Sequence, residues 1–143
     1  MDNNVNVLDE INKGATMGMD AIMFVYDKVE DQTFKKVLDG EYKKYKDISQ
    51  RVGQEYENFS IKAPHTTNAM NKAMTWYGIQ MKTMTDQSNE KISELLMQGT
   101  NMGIIEGRRL LNQNPEAEKD VKNILNDFVV MQEDSVETLK KYL

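Results

Sequence analysis

Residues 32–60 read QTFKKVLDGEYKKYKDISQRVGQEYENFS. Phe34, Leu38, Tyr45, Ile48, Val52 and Phe59 recur at steps of three and four when Glu41 and Glu55 are counted as members of the same series. That spacing puts one side chain per turn on a single face of an α-helix, and no period-two alternation competes with it. Asp31 stands directly before the run as an N-cap. The stretch predicts a long amphipathic helix whose apolar stripe carries two carboxylates.

The same spacing extends in both directions. Leu8, Ile11, Ala15, Gly18, Ile22, Val25 and Val29 form one stripe before it. After Ser88 come Ile92, Leu95, Gly99, Met102 and Glu106, with Leu96 and Leu110 beside them. Val121, Ile124, Phe128, Met131, Ser135 and Leu139 form the last. Asn114 before Pro115 reads as an N-cap followed by proline at the first helical position, and Ser88 or Thr85 starts the third helix. The four helices then span 4–30, 32–60, 86–112 and 115–143, each about 27 residues and so about 40 Å long. Matched lengths predict an all-α four-helix bundle, a single domain over residues 1–143.

The connections set the expected topology. The first and second helices, and the third and fourth, are joined by a few residues and must form antiparallel hairpins. Residues 61–85 instead carry an amphipathic run of their own, Met70, Ala73, Met74, Tyr77, Met81 and Met84. One unbroken helix from 67 to 112 would be about 69 Å long and would overhang its partners. A short crossing helix between the second and third main helices removes that mismatch and gives an up-down-down-up order. In that order Gly18 stands level with Gly99 and Gly14 with Gly103. Glycine inside a helix costs about 1 kcal/mol against alanine, so the repeat wants a packing reason. Two are open: close backbone approach of the first and third helices, or a self-contact in a homodimer.

Composition removes several function classes. Two prolines, eight glycines and no cysteine exclude collagen-like, disulfide-stapled and thiol-zinc proteins. A net charge of -5 without a basic cluster argues against nucleic-acid binding. Lys43, Lys44 and Lys46, and Arg108 with Arg109, are short groups on solvated faces. No stretch approaches the ~20 apolar residues of a membrane span. Met1-Asp2-Asn3-Asn4 lacks the basic and apolar regions of a signal peptide, so a cytoplasmic location is expected.

Leu8-Asp9-Glu10-Ile11 with Gly14 and Gly18 opening the first helix, Trp76 in the crossover and Gln98-Gly99 in the third helix resemble an uncharacterised ferritin-like family of bacterial proteins. The resemblance covers most of the chain and implies the ferritin-like up-down-down-up bundle. Active di-iron members of that fold use a glutamate from each of two helices plus Glu-x-x-His from each of the other two. This chain departs from the pattern: Glu41 is followed three residues on by Lys44, and Glu133 by Val136. The only histidine, His65, follows Pro64 in the loop, where it reads as an exposed side chain without a role. Counting levels brings Asp20, Glu41, Gln98 and Glu133 into one layer, of which only Glu41 faces inward. No metal or other cofactor is therefore expected, and Glu41, Glu55 and Glu106 are the only weak metal-ligand candidates.

Glu55 and Glu106 fall on apolar stripes near the opposite end of the bundle, where they would form a second polar layer or hydrogen-bond to Tyr, Thr or Arg neighbours. Trp76 and Tyr77 with the crossover methionines would line an apolar groove or simply pack on the bundle. Met17, Met23 and Phe24 lie off the main stripe of the first helix, and such a second face needs a cover. Either the crossover helix or a second copy supplies it. A homodimer is expected, with protein contact through that face or through the Trp76 helix. The residues point to a non-enzymatic bundle with a structural or protein-interaction role. A divergent iron- or manganese-binding protein or oxidoreductase, and a carrier of a small apolar ligand, are the alternatives.

Overall fold

Asp31 caps the second helix as its position demands. In the computed structural model its carboxylate accepts hydrogen bonds from Thr33 N at 2.8 Å and Phe34 N at 3.2 Å. These bonds, that from Phe34 foremost, hold the carboxyl below its ordinary range. The structure describes residues 3–59 and 84–143, together with Gly78 and Gln80. They form α1 (Asn3–Tyr26), α2 (Gln32–Tyr56) with a 3-10 turn at Glu57–Phe59, α3 (Asn89–Gln113) and α4 (Lys119–Lys140). No strand occurs among the described residues, and no described helix is long and apolar enough to cross a membrane. The crossover helix expected around Met70, Met74, Trp76, Tyr77 and Met81, and His65 before it, lie outside the described residues. Met84 at its end is half-buried against the core.

Ser88 caps α3, its hydroxyl accepting from Lys91 N at 3.2 Å, which decides between it and Thr85. The fourth helix departs from expectation. Asn114 does not open it: the Asn114 amide turns back and donates to Leu110 O at 3.0 Å, closing α3 instead. Pro115 and Glu116 make a turn, and α4 begins at Lys119. The entry to α4 is tied from another helix, because Glu118 N donates to Asn4 Oδ1 at 2.7 Å. An asparagine beside proline suits either end of a helix, and the orphan carbonyl of α3 took it.

Contacts along the helices give their directions. Ser49 on α2 donates to Asn12 on α1 at 3.0 Å and Tyr26 on α1 donates to Asp39 on α2 at 3.3 Å, so the pair is antiparallel. Gly103 lies against Gln132 and Gly107 against Val129, making α3 and α4 antiparallel as well. Between hairpins, α2 opposes α4: Phe34 stacks on Tyr142 with ring centroids 4.5 Å apart, and Arg51 pairs with Asp127 at 2.9 Å. One core of buried side chains runs through all four helices.

Every apolar member of the predicted α1 and α2 stripes is buried except Phe59, which is half-buried. On α3 the stripe is displaced. Met102 is 56% exposed and Glu106 is exposed, while Ile92, Leu96, Thr100 and Gly107 carry the buried line. The change falls where α3 lines the space beside α1, with Met102, Gly103, Glu106 and Gly107 along it.

The glycines also resolve differently from a close approach of two backbones. They make room for side chains arriving from across the core. A Cβ on Gly14 would lie 2.8 Å from the Phe128 ring, and one on Gly18 would overlap the Tyr45 ring. Equivalent atoms on Gly103 and Gly107 would strike the Gln132 amide and Val129.

Candidate functional site

Where α1 and α3 face each other the described residues leave a space open to one side. A cavity of about 440 Å³ lies between them, with a floor made by α2 and α4. That volume falls in the range of small-molecule sites, roughly 300–1,000 Å³. Protein interiors normally close such space by interdigitating side chains. Here the wall positions include Gly14 and Gly18 on α1 and Gly99, Gly103 and Gly107 on α3, which have nothing to interdigitate. Ile22, Leu38, Leu96, Leu125 and Phe128 supply apolar lining, and Met17 and Met102 stand on the two walls. Methionine at such positions adapts to irregular shapes.

A polar pole interrupts the apolar lining. Glu41, 5% exposed, comes from the inward face of α2, one turn before Tyr45. Its Oε2 accepts from Ser135 Oγ at 2.5 Å and its Oε1 from Lys44 Nζ at 3.3 Å. The Lys44 head reaches solvent, so the buried carboxylate keeps a counter-charge without a second buried ion. Burial pushes the Tyr45 hydroxyl up to about 12; a hydrogen bond with Thr100 opposes this and the Glu41 charge adds to it. Gln132 completes the pole from α4, 2% exposed, with its Nε2 lacking any hydrogen-bond partner among the described residues.

The sequence-predicted residues separate clearly. Glu41 points inward as its spacing implies. Asp20 is half-buried and partial desolvation raises its carboxyl above the ordinary value. Gln98 and Glu133 are exposed, and Glu133 pairs with Arg108 at 3.1 Å. Glu55 is half-buried and accepts from Asn58 at 3.1 Å. Glu106 is exposed and pairs with Arg109 on its own helix. Of the two readings of Glu55 and Glu106, the structure bears out hydrogen bonding to neighbours, Arg109 for Glu106 and Asn58 for Glu55, and not a second polar layer. Among the described residues no three His, Cys, Asp or Glu side chains come together as a metal site. Glu41, already engaged by Lys44 and Ser135, does not fit the di-iron ligand set implied by the resemblance.

Two features escaped the periodicity. Gln132 lies four residues after Phe128 and three before Ser135, so it shares the inward face as well as Met131 does; a stripe read one residue wide passes it by. Asp9 is buried at the far end of the bundle, where Tyr56 donates its hydroxyl to it. Burial foremost, then the bond to Asp9 and its charge, holds the Tyr56 phenol above its usual range. Glu10 beside Asp9 stays half-buried and pairs with Lys13 at 2.6 Å, on the cavity wall.

The arrangement can enclose a molecule with an apolar body and offer it one hydrogen-bonding end. Compared with protein-family models, curated proteins and solved structures, the chain matches none.

Proposed function

We propose that this chain is a non-enzymatic, ferritin-like bundle of the cytoplasm that carries a small apolar molecule in the cavity between α1 and α3. The observation that carries this reading is a mainly apolar cleft of about 440 Å³ between α1 and α3, floored by core side chains and walled in part by glycines. Helix directions support the ferritin-like order, since α1 opposes α2, α3 opposes α4 and α4 opposes α2. Metal work is the weaker reading because among the described residues no three His, Cys, Asp or Glu side chains come together. The test is saturable binding of a neutral solvatochromic dye such as Nile red, together with mass spectrometry of compounds released when the purified protein is denatured. One dye per chain, displaced by a released compound, is the expected result. Dye binding that neither saturates nor reaches one per chain refutes the carrier.

A second reading concerns self-association and has its own observation. Met23 is 60% and Phe24 40% exposed on α1, and Ile105 56% on α3. Covering Met23 and Phe24 with a second copy makes the protein a homodimer, which its mass in solution at micromolar concentration tests.

A further inference from the structure

The polar pole of the cavity holds a hydrogen-bond donor that the described residues leave unmet. Gln132 is 2% exposed, its amide lies over Gly103, and both residues line the cavity. Among the described residues no partner meets its Nε2. A buried donor without an acceptor is costly, and native proteins rarely keep one. Ser135 is three residues further along α4, and therefore on the same helix face, and it donates to Glu41 at 2.5 Å. Glu41 also lines the cavity. Each carboxylate oxygen can accept more than one hydrogen bond, so the bonds from Ser135 and Lys44 leave room for another.

We propose that the molecule held here has an uncharged head bearing both an acceptor oxygen and a donor hydrogen, an alcohol or primary amide on an apolar body. Its oxygen accepts from Gln132 Nε2 and its hydrogen is donated to Glu41. This rests on the carrier reading above and adds the head group to it. An acid head would bring a second negative charge beside Glu41, whose counter-charge is the Lys44 ammonium, its side chain 44% exposed, while Lys13 on the wall is already paired with Glu10. An ammonium head would suit Glu41 but would offer Gln132 no acceptor and would compete with Lys44. The uncharged head satisfies both groups at once.

The test measures displacement of Nile red from the whole protein at pH 7 by four probes sharing a ten-carbon chain: 1-decanol, decanamide, decanoate and decylammonium. The alcohol and the amide are expected to act at concentrations at least tenfold lower than either ion. Gln132→Leu should cost the two neutral probes about tenfold relative to the two ions. Glu41→Gln, which keeps shape and removes charge, should improve decanoate at least tenfold relative to decanol. Should Gln132→Leu not fold, Gly103→Ala replaces it, since its methyl displaces the Gln132 amide, and the same loss is expected. An ion that binds as well as the neutral probes, or a ranking unmoved by all of these variants, overturns the head-group assignment while dye binding still supports the carrier. Failure of the dye to bind the unmodified protein overturns both.

Discussion

The two seams between the hairpins differ in the side chains that line them. Along α2 and α4, Phe34 stacks on Tyr142, Glu41 meets Ser135 and Arg51 meets Asp127, so one contact follows another from end to end. Along α1 and α3, glycines stand where core side chains would, and a cavity takes the space. The difference shows how a small bundle combines stability with a binding site. Two hairpins and one closed seam bury enough apolar surface to hold the helices in place. The other seam is then free to stay open.

Truncation on the closed seam should have the largest effect. Phe34 is fully buried, and Phe34→Ala should cost about 3–5 kcal/mol in urea unfolding. Met17→Ala on the cavity wall should cost about 1 kcal/mol or less, because its side chain is only half-buried. Equal costs would erase the contrast between the seams.

Alkaline pH probes the tyrosine that spans them. Tyr45 covers Gly18 and meets Phe128 edge-on at 6.3 Å. Its phenol is pushed from the ordinary 10.0 to about 12. Above pH 10 the unfolded chain releases a proton that the folded chain retains, so the neutral phenol's contribution is complete below that pH and is lost as pH rises towards 12. The loss should be about 2–3 kcal/mol, and Tyr45→Phe should make that part of a stability–pH profile shallower, the raised Tyr56 phenol keeping the remaining slope.

Glycine substitutions sharpen the point further. Gly18→Ala should destabilise by about 1–3 kcal/mol by driving a methyl into the Tyr45 ring. Gly40→Ala, with nothing within 4 Å of its new methyl, should instead stabilise by up to about 1 kcal/mol. Thermal melts of the two variants should move in opposite directions. The smallest effect on stability belongs to the exposed face of α1. Phe24→Lys should change unfolding by less than about 0.5 kcal/mol yet convert a dimer to a monomer in light scattering. A monomer before substitution would remove the self-association reading.

Much of the scaffold was legible in the residues. Asp31 and Ser88 are caps because short acceptors before an apolar run have backbone donors to meet. The α1 and α2 stripes are buried as spaced, and Glu41 faces inward because its neighbours at steps of three and four do. Legibility failed where one residue type suits two places. Asn114 closes α3 instead of opening α4, and the α3 stripe assigned Met102 and Glu106 to a core they do not enter. Gln132 was hidden behind Met131, since an amide on a helix face is inward or outward according to what packs there.

By itself the sequence determined the helices, their hairpins and the inward placement of Glu41, because backbone capping and helical periodicity are local. Only the tertiary structure decided that the glycines yield to Phe128, Tyr45, Gln132 and Val129, and that the space left between α1 and α3 is a cavity. A void belongs to no residue. It exists only in the distances among four helices, and those distances are set by side chains far apart in the chain.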